Sequence, residues 1–155
     1  MTSDDFARHI IDMTQTLYRV ACSQLSAPAD REDAVQETLR KAWEKRGRLR
    51  DERYLRTWVI RILINECHNI QRRAKRVTPM EALPPAASGA QPPLKAALLS
   101  LDERFRMPIL LYYIEGYPVE DVAAMLHVPK GTVKSRMARG REKLRDILME
   151  EVFES

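Results

Sequence analysis

Apolar residues recur at intervals of three and four along most of the chain, and the breaks in that rhythm divide it into helices. Phe6, Ile10, Met13, Leu17 and Val20 fall on one face of a helix over residues 4–25, which SAPAD (Ser26–Asp30) then breaks. In the second helix Asp30 is the predicted N-cap. Glu32 and Asp33 in the first turn meet the positive end of the helix dipole. Val35, Leu39 and Ala42 make its buried stripe, Trp43 sits at the stripe's edge, and Glu32, Asp33, Gln36, Glu37 and Arg40 remain outside. Gly47 closes it in the position where helices favour glycine. A charged loop, GRLRDERYL (Gly47–Leu55), leads into a long third helix, Tyr54–Arg76, with Leu55, Trp58, Val59, Ile62, Leu63 and Ile70 on its apolar face.

The rhythm then stops. VTPMEALPPAASGAQPP, residues 77–93, is rich in proline and alanine and reads as a linker. Fully extended it reaches at most about 60 Å, comparable to about 17 base pairs of B-DNA. From Leu94 the helical pattern resumes, with a short helix over 94–100 and another from about Asp102, distorted near Pro108 because a proline ring fits only a first turn or a kink. Glu115–Tyr117 is a turn. Pro118 suits the first position of the next helix, whose Val122, Ala123, Met125 and Leu126 point inward. After a turn, His127–Lys130, a last helix opens near Gly131–Thr132, with Val133, Met137 and Leu144 toward the core. The fold class is therefore all-α: two small helical domains, residues 1–76 and 94–155, joined by the linker 77–93.

Charge changes the picture most in the last helix. Net charge is +4, a weak signal alone, but Lys130, Lys134, Arg136, Arg139, Arg141, Lys143 and Arg145 face a single acid, Glu142, within one stretch. A short helix, a tight turn, the small Ala123 at the helix crossing and this basic second helix together read as a DNA-binding helix-turn-helix. Lys134, Ser135, Arg136 and Arg139 are free to face a groove, and Thr132 and Ser135 suit phosphate or base contacts. RRAKR (Arg72–Arg76) is a second dense cationic cluster, read as a phosphate-contacting helix end.

Other chemistry finds no support. His9, His68 and His127 share no ligand spacing with acids or cysteines, and no glycine-rich phosphate loop or nucleophile elbow occurs. Cys22 and Cys67 form no CxxC pair and read as free thiols of a reducing compartment. MTSDDF lacks the apolar core of a signal peptide, and MPILLYYI (Met107–Ile114) is too short to span a bilayer. These features predict a cytoplasmic protein that is not an enzyme, needs no cofactor or metal, and inserts in no membrane.

Two blocks resemble a known family. DREDAVQETLRKAW (Asp30–Trp43) with RTWVIRILINECHNIQRRAKR (Arg56–Arg76) is similar to domain 2, and SLDERFRMPILLYYIEGYPVEDVAAMLHVPKGTVKSRMARGREKLR to domain 4, of bacterial RNA polymerase sigma factors of the extracytoplasmic-function (ECF) type. The resemblance implies a subunit that binds core RNA polymerase and directs it to promoter DNA. It implies −35 recognition by Lys130, Thr132, Lys134, Ser135, Arg136, Arg139 and Arg141. It implies −10 recognition and melting by Arg53, Arg56, Arg61, Asn65, Asn69, Arg72, Arg73, Lys75 and Arg76, with a flipped base held in a protein pocket. It implies polymerase docking by Asp33, Gln36, Glu37 and Trp43, and an anti-sigma factor as a possible further partner. The chain departs from the family pattern at Asn69, where Asp is usual; at Asp102, where Pro commonly follows Leu; at Pro118, where a Ser/Thr cap is usual; and at His127, where a turn glycine is usual. His127 predicts modest strain if the turn needs a positive φ. The alternative is a free-standing helix-turn-helix regulator, which the linker and the block 30–76 disfavour.

Overall fold

A computed structural model describes residues 1–77 and 93–154, with side chains for 1–76 and 93–150. The linker expected at 77–93 lies outside the described residues except for its two ends, Val77 and Pro93, which are helical. All regular structure among the described residues is helical, and it falls into two compact units, one N-terminal and one C-terminal.

In the N-terminal unit the helix expected over 4–25 is two: α1 (Ser3–Asp12) and α2 (Thr14–Gln24), joined at Met13 (φ −84°, ψ −7°). Met13 is buried and its amide still donates to His9 O (3.2 Å) and Ile10 O (3.1 Å), so the joint keeps the apolar face continuous. Thr2 and Asp5 close the start of α1 reciprocally, Asp5 N to Thr2 Oγ1 (3.1 Å) and Thr2 N to Asp5 Oδ2 (3.3 Å). Helix α3 runs Pro28–Glu44 with Ala27 as N-cap. Asp30 is therefore in the first turn and caps nothing. Pro28 starts the helix three residues earlier because a first-turn proline forfeits no intrahelical bond. At the other end α3 stops at Glu44 and Gly47 sits in a 3-10 turn, Arg46–Arg48, so glycine does not make the stop. A second 3-10 turn, Glu52–Tyr54, precedes α4 (Leu55–Val77).

Helix α4 packs on both α2 and α3. Its buried arc is accordingly wider than the predicted stripe: Ile60, Ile64 and Cys67 join Leu55, Val59, Leu63 and Ile70, while Trp58 and Ile62 are only half-buried. The core is Met13, Leu17, Val20, Val35, Val59, Ile60 and Leu63, all almost fully excluded from water. Thr38 is buried among them because its hydroxyl donates to Ala34 O (2.7 Å). Lys41 of α3 pairs with the buried carboxylate of Glu66 on α4, and Gln71 Nε2 donates to Gln24 O (2.8 Å) at the end of α2. These bonds fix how α4 is seated on its neighbours.

In the C-terminal unit α5 (Pro93–Ser100) and α6 (Glu103–Ile109) are separated at Leu101–Asp102, where Asp102 caps α6 through Arg104 N (3.1 Å). Pro108 lies inside α6 and cannot donate, and the helix widens just beyond it into a π-turn, Leu110–Ile114, closed by Glu115 N to Leu110 O (3.0 Å). Gly116 then turns the chain with φ 81°. Pro118 is the N-cap of α7 (Val119–Leu126), one place before the first-turn position expected for it. The last helix, α8, begins at Lys130 and runs to Glu154. It packs on α5, α6 and α7 through Val133, Met137, Gly140 and Leu144. Gly140 permits the closest approach: a Cβ there would stand 2.5 Å from Ile109 Cδ1 and 3.3 Å from Phe105 Cβ.

Candidate nucleic-acid interface

The turn between α7 and α8 is built by its backbone. His127 adopts the left-handed conformation (φ 58°, ψ 47°). Its amide donates to Ala124 O (3.3 Å) and that of Val128 to Ala123 O (3.0 Å), the Schellman arrangement that ends helices and usually recruits glycine. The strain expected of a histidine there is present. Pro129 O then accepts from Thr132 N (3.0 Å) and Val133 N (3.2 Å), which starts α8 immediately. Lys130 therefore belongs to the helix, not to the turn.

With Val133, Met137, Gly140 and Leu144 against the unit, the 3.6-residue period puts Gly131, Ser135, Ala138 and Glu142 at the centre of the outward face, and all four are exposed. Three of the four are small, so a flat partner can approach the helix axis closely. Cations flank this strip: Lys134 and Arg141 on one side, Arg136 and Arg139 with Thr132 on the other. Lys134, Ser135 and Arg139 are exposed and Thr132 and Arg136 half-buried. Lys134, Arg136 and Arg139 have no ion-pair partner among the described residues. Lys130 instead pairs with Glu120 on α7 (3.2 Å), Ser135 Oγ donates to Thr132 O (3.2 Å), and Arg141 Nη1 donates to the Tyr113 hydroxyl (2.8 Å).

The N-terminal unit arranges its charges differently. Arg61, Asn65 and Arg72 follow one another along one exposed stripe of α4, continued by Arg76. Arg56 lies at the helix start, about 30 Å from Arg76 at 1.5 Å per residue, and Lys75 is on a separate flank. Arg53 is not on α4. It lies in the preceding turn, where Asp51 grips it through Nη2 to Oδ2 (2.7 Å) and Nε to both carboxylate oxygens (3.2 and 3.1 Å). The Arg53 guanidinium and amide hold the Asp51 carboxyl below its ordinary value. Arg72 donates to Asn69 Oδ1.

Asn69, Arg72, Arg73 and Arg76 of α4 and Asp33, Gln36 and Glu37 of α3 line the same open groove, about 910 Å³ in volume. Residues expected in two separate roles thus meet in one place. Arg40, given no role by the sequence, is central to the outer face of α3 and bridges Glu37 and Glu44 (the latter at 2.6 Å). Its guanidinium is the main cause that holds the Glu37 carboxyl below the usual range, with Arg73 across the groove a smaller one. Trp43 lies outside this groove. Its ring meets Phe6 (6.2 Å between centroids), Phe6 meets Trp58 (6.3 Å), and the Arg46 guanidinium covers Trp43 at 3.9 Å while donating to its carbonyl (2.8 Å). Trp43 is still 42% exposed, so it is half core and half surface.

Comparison with known proteins resolves what these two charged units are. Residues 10–77 match the family model for sigma-70 region 2 and residues 93–144 that for sigma-70, region 4. The ECF RNA polymerase sigma factor SigM of Mycobacterium tuberculosis is 32% identical over an alignment that takes in 92% of this chain and 74% of SigM. The chain belongs to the ECF sigma factors. As a sigma factor it directs transcription initiation. The sigma factor RpoE of Bartonella quintana, solved in complex with the anti-sigma factor NepR, superimposes with a TM-score of 0.79 at 32% identity, covering 94% of this chain and 97% of that one. CnrH, solved with the cytosolic domain of CnrY, shares the fold with a TM-score of 0.74 at 24% identity, over 96% and 90% of the two chains. In this sigma factor no described helix is long and apolar enough to cross a membrane, and no cluster of three His, Cys, Asp or Glu could hold a metal ion among the described residues.

The sequence overlooked four features of this sigma factor: the Arg40 bridge, the Asp51 grip on Arg53, the Tyr113–Arg141 bond and the closely packed Gly140. Only the first had a signal in the sequence, since Glu37, Arg40 and Glu44 stand at helical spacings of three and four.

Proposed function

We propose that this sigma factor binds core RNA polymerase and delivers it to promoters by reading two DNA elements with two different units. In this reading residues 94–155 take the −35 duplex. The strip Gly131–Ser135–Ala138 lies over the major groove, Arg136 and Arg139 reach base edges, and Thr132, Lys134 and Arg141 reach phosphates. A bidentate arginine–guanine pair is worth roughly 1–3 kcal/mol of discrimination. Residues 1–76 take the −10 element along the stripe Arg61, Asn65, Arg72 and Arg76, with Arg56 at the helix start and Arg53 at the loop. The acids of α3, Asp33 and Glu37 with Gln36, dock on polymerase, and the exposed edge of Trp43 anchors the far end of that surface. The linker 77–93 joins the two. The observation that supports this reading best is the outward face of α8: small residues at its centre, cations on both flanks, and no acid among its first four turns except Glu142.

The protein works in the cytoplasm, where polymerase is, and has no catalytic activity of its own. An anti-sigma factor fits as a partner, since RpoE was solved bound to one. The free-standing regulator is not favoured, because both regions of a sigma factor are matched in order. Pull-down with core polymerase followed by run-off transcription tests the proposal. Co-elution with core and promoter-dependent transcripts are expected; failure to associate with core would refute it.

A further inference from the structure

Tyr113 has no part in the roles given above, yet the fold goes out of its way to place it. Pro108 has no amide hydrogen to give, and the π-turn that follows inserts extra backbone that redirects the next side chains. Leu110 and Leu111 stay buried, while Tyr112, Tyr113 and Ile114 emerge, 37%, 53% and 55% exposed. Tyr113 then reaches α8, 28 residues further along the chain, where its hydroxyl accepts a hydrogen bond from Arg141 Nη1 at 2.8 Å. The guanidinium lies 6.0 Å from the centre of the Tyr113 ring. Tyr112 braces that ring from another side, edge-on at 4.9 Å and 88°.

Arg141 lies on the same flank of α8 as Lys134, two turns earlier and about 10 Å along the axis. Flanking cations of a groove-facing helix meet the phosphate backbone. A free arginine loses much of its rotamer freedom when it does so, and one already held loses less. Only one of Arg141's donors is used by Tyr113, so the others remain for a phosphate oxygen. Resting on the −35 reading above, we propose that Tyr113 is a positioning residue for DNA binding, whose hydroxyl sets the Arg141 guanidinium toward one backbone phosphate of the duplex. It touches the DNA through Arg141, not by itself.

Phosphate contacts are independent of sequence, so a mixed-sequence 30-base-pair duplex serves as the probe, with the full chain, by fluorescence anisotropy across a series of KCl concentrations. Arg141→Ala is expected to lower the slope of log K against log salt by about 0.9, the value of one phosphate contact. Tyr113→Phe keeps the ring and removes the hydroxyl. It is expected to weaken binding about threefold, a part of the cost of ordering one arginine on binding, with the slope unchanged. In the Arg141→Ala background Tyr113→Phe is expected to change nothing. Wild-type affinity in Tyr113→Phe, a changed slope, or the same loss with Arg141 already removed would each overturn the positioning role. If the wild-type chain does not bind the duplex at all, the −35 reading itself fails. If it binds and only the Tyr113 arm fails, that reading stands without this addition.

Discussion

Helices α4 and α8 are built alike, but their charges are placed differently. Each is the longest helix of its unit, each buries one stripe against neighbouring helices, and each carries cations outside. On α8 the cations Lys134, Arg136 and Arg139 have no acidic partner among the described residues. On α4 the cations Arg72, Arg73 and Arg76 share a groove with Asp33 and Glu37 of α3, and Arg53, in the turn before α4, is gripped by Asp51. Opposite charges lining one groove cancel part of each other's field at a distance. The comparison teaches that counting lysines and arginines along a helix does not identify a duplex reader; the neighbouring helix decides. On the proposed reading, α8 attracts duplex DNA unaided, and α4 does so fully only once a partner covers the acids of α3.

The contrast in packing can be broken most severely at Gly140. Gly140→Leu puts a side chain where Ile109 and Phe105 already stand and is expected to cost the C-terminal unit about 3 kcal/mol, read as lost helicity in urea titrations followed by circular dichroism. Asn65→Leu, a change of similar size on the exposed stripe of α4, is expected to stay within about 0.5 kcal/mol. Its transition can be followed by fluorescence, since both tryptophans, Trp43 and Trp58, belong to the N-terminal unit. If the two substitutions cost the same, the seating described for α8 is wrong.

Arg139→Ala comes next: a loss of about 1–3 kcal/mol in binding a cognate −35 duplex is expected if it reads a base, against a smaller, sequence-independent loss if it meets only phosphate. Competition between cognate and mixed-sequence duplexes separates the two. Asp51→Asn sharpens the comparison on the other unit, because it releases Arg53 and is expected to strengthen duplex binding modestly. The same ion pair has a pH signature. Arg53 holds the Asp51 carboxyl below its ordinary 3.8, so the pair's contribution is present above that pH and fades as pH falls through the lower folded value. An NMR titration of Asp51 with a midpoint below 3.8 is expected, and a midpoint at or above it would show that the grip is absent in solution. The smallest effect is at the turn. His127→Gly relieves a left-handed histidine and is expected to stabilise the C-terminal unit by about 0.5 kcal/mol, the relief being partly offset by a more flexible unfolded chain.

Much of this architecture was legible in the sequence because a helix declares itself through apolar spacing. Val133, Met137 and Leu144, spaced by four and seven, are buried as that spacing predicts. The strain at His127 was legible because the turn needs a positive φ and the chain offers no glycine there. The helix ends were less so. Asp30 looks like a cap by composition, yet Pro28 starts α3 first; Gly47 looks like a terminator, yet Lys45 already ends the helix. The site was legible as a set of residues and not as an arrangement. Asp33 and Glu37 are roughly forty residues from Arg72 and Arg73 in the chain, and only the packing of α3 on α4 brings them to one groove. Tyr113 was invisible for a related reason: a π-turn has no residue signature beyond the proline before it, and its partner lies on another helix.

The central claim, that α8 presents unopposed charge to duplex DNA while α4 does not, is tested most directly by the salt dependence of duplex binding in two triple variants of the full chain. Lys134→Ala, Arg136→Ala and Arg139→Ala together are predicted to lower the slope by about 0.9 for the Lys134 phosphate contact, rising to about 2.7 where Arg136 and Arg139 also displace counterions as they enter the groove. Arg72→Ala, Arg73→Ala and Arg76→Ala together are predicted to lower it by less than half as much. Equal losses, or a larger loss from the α4 variant, would contradict the account.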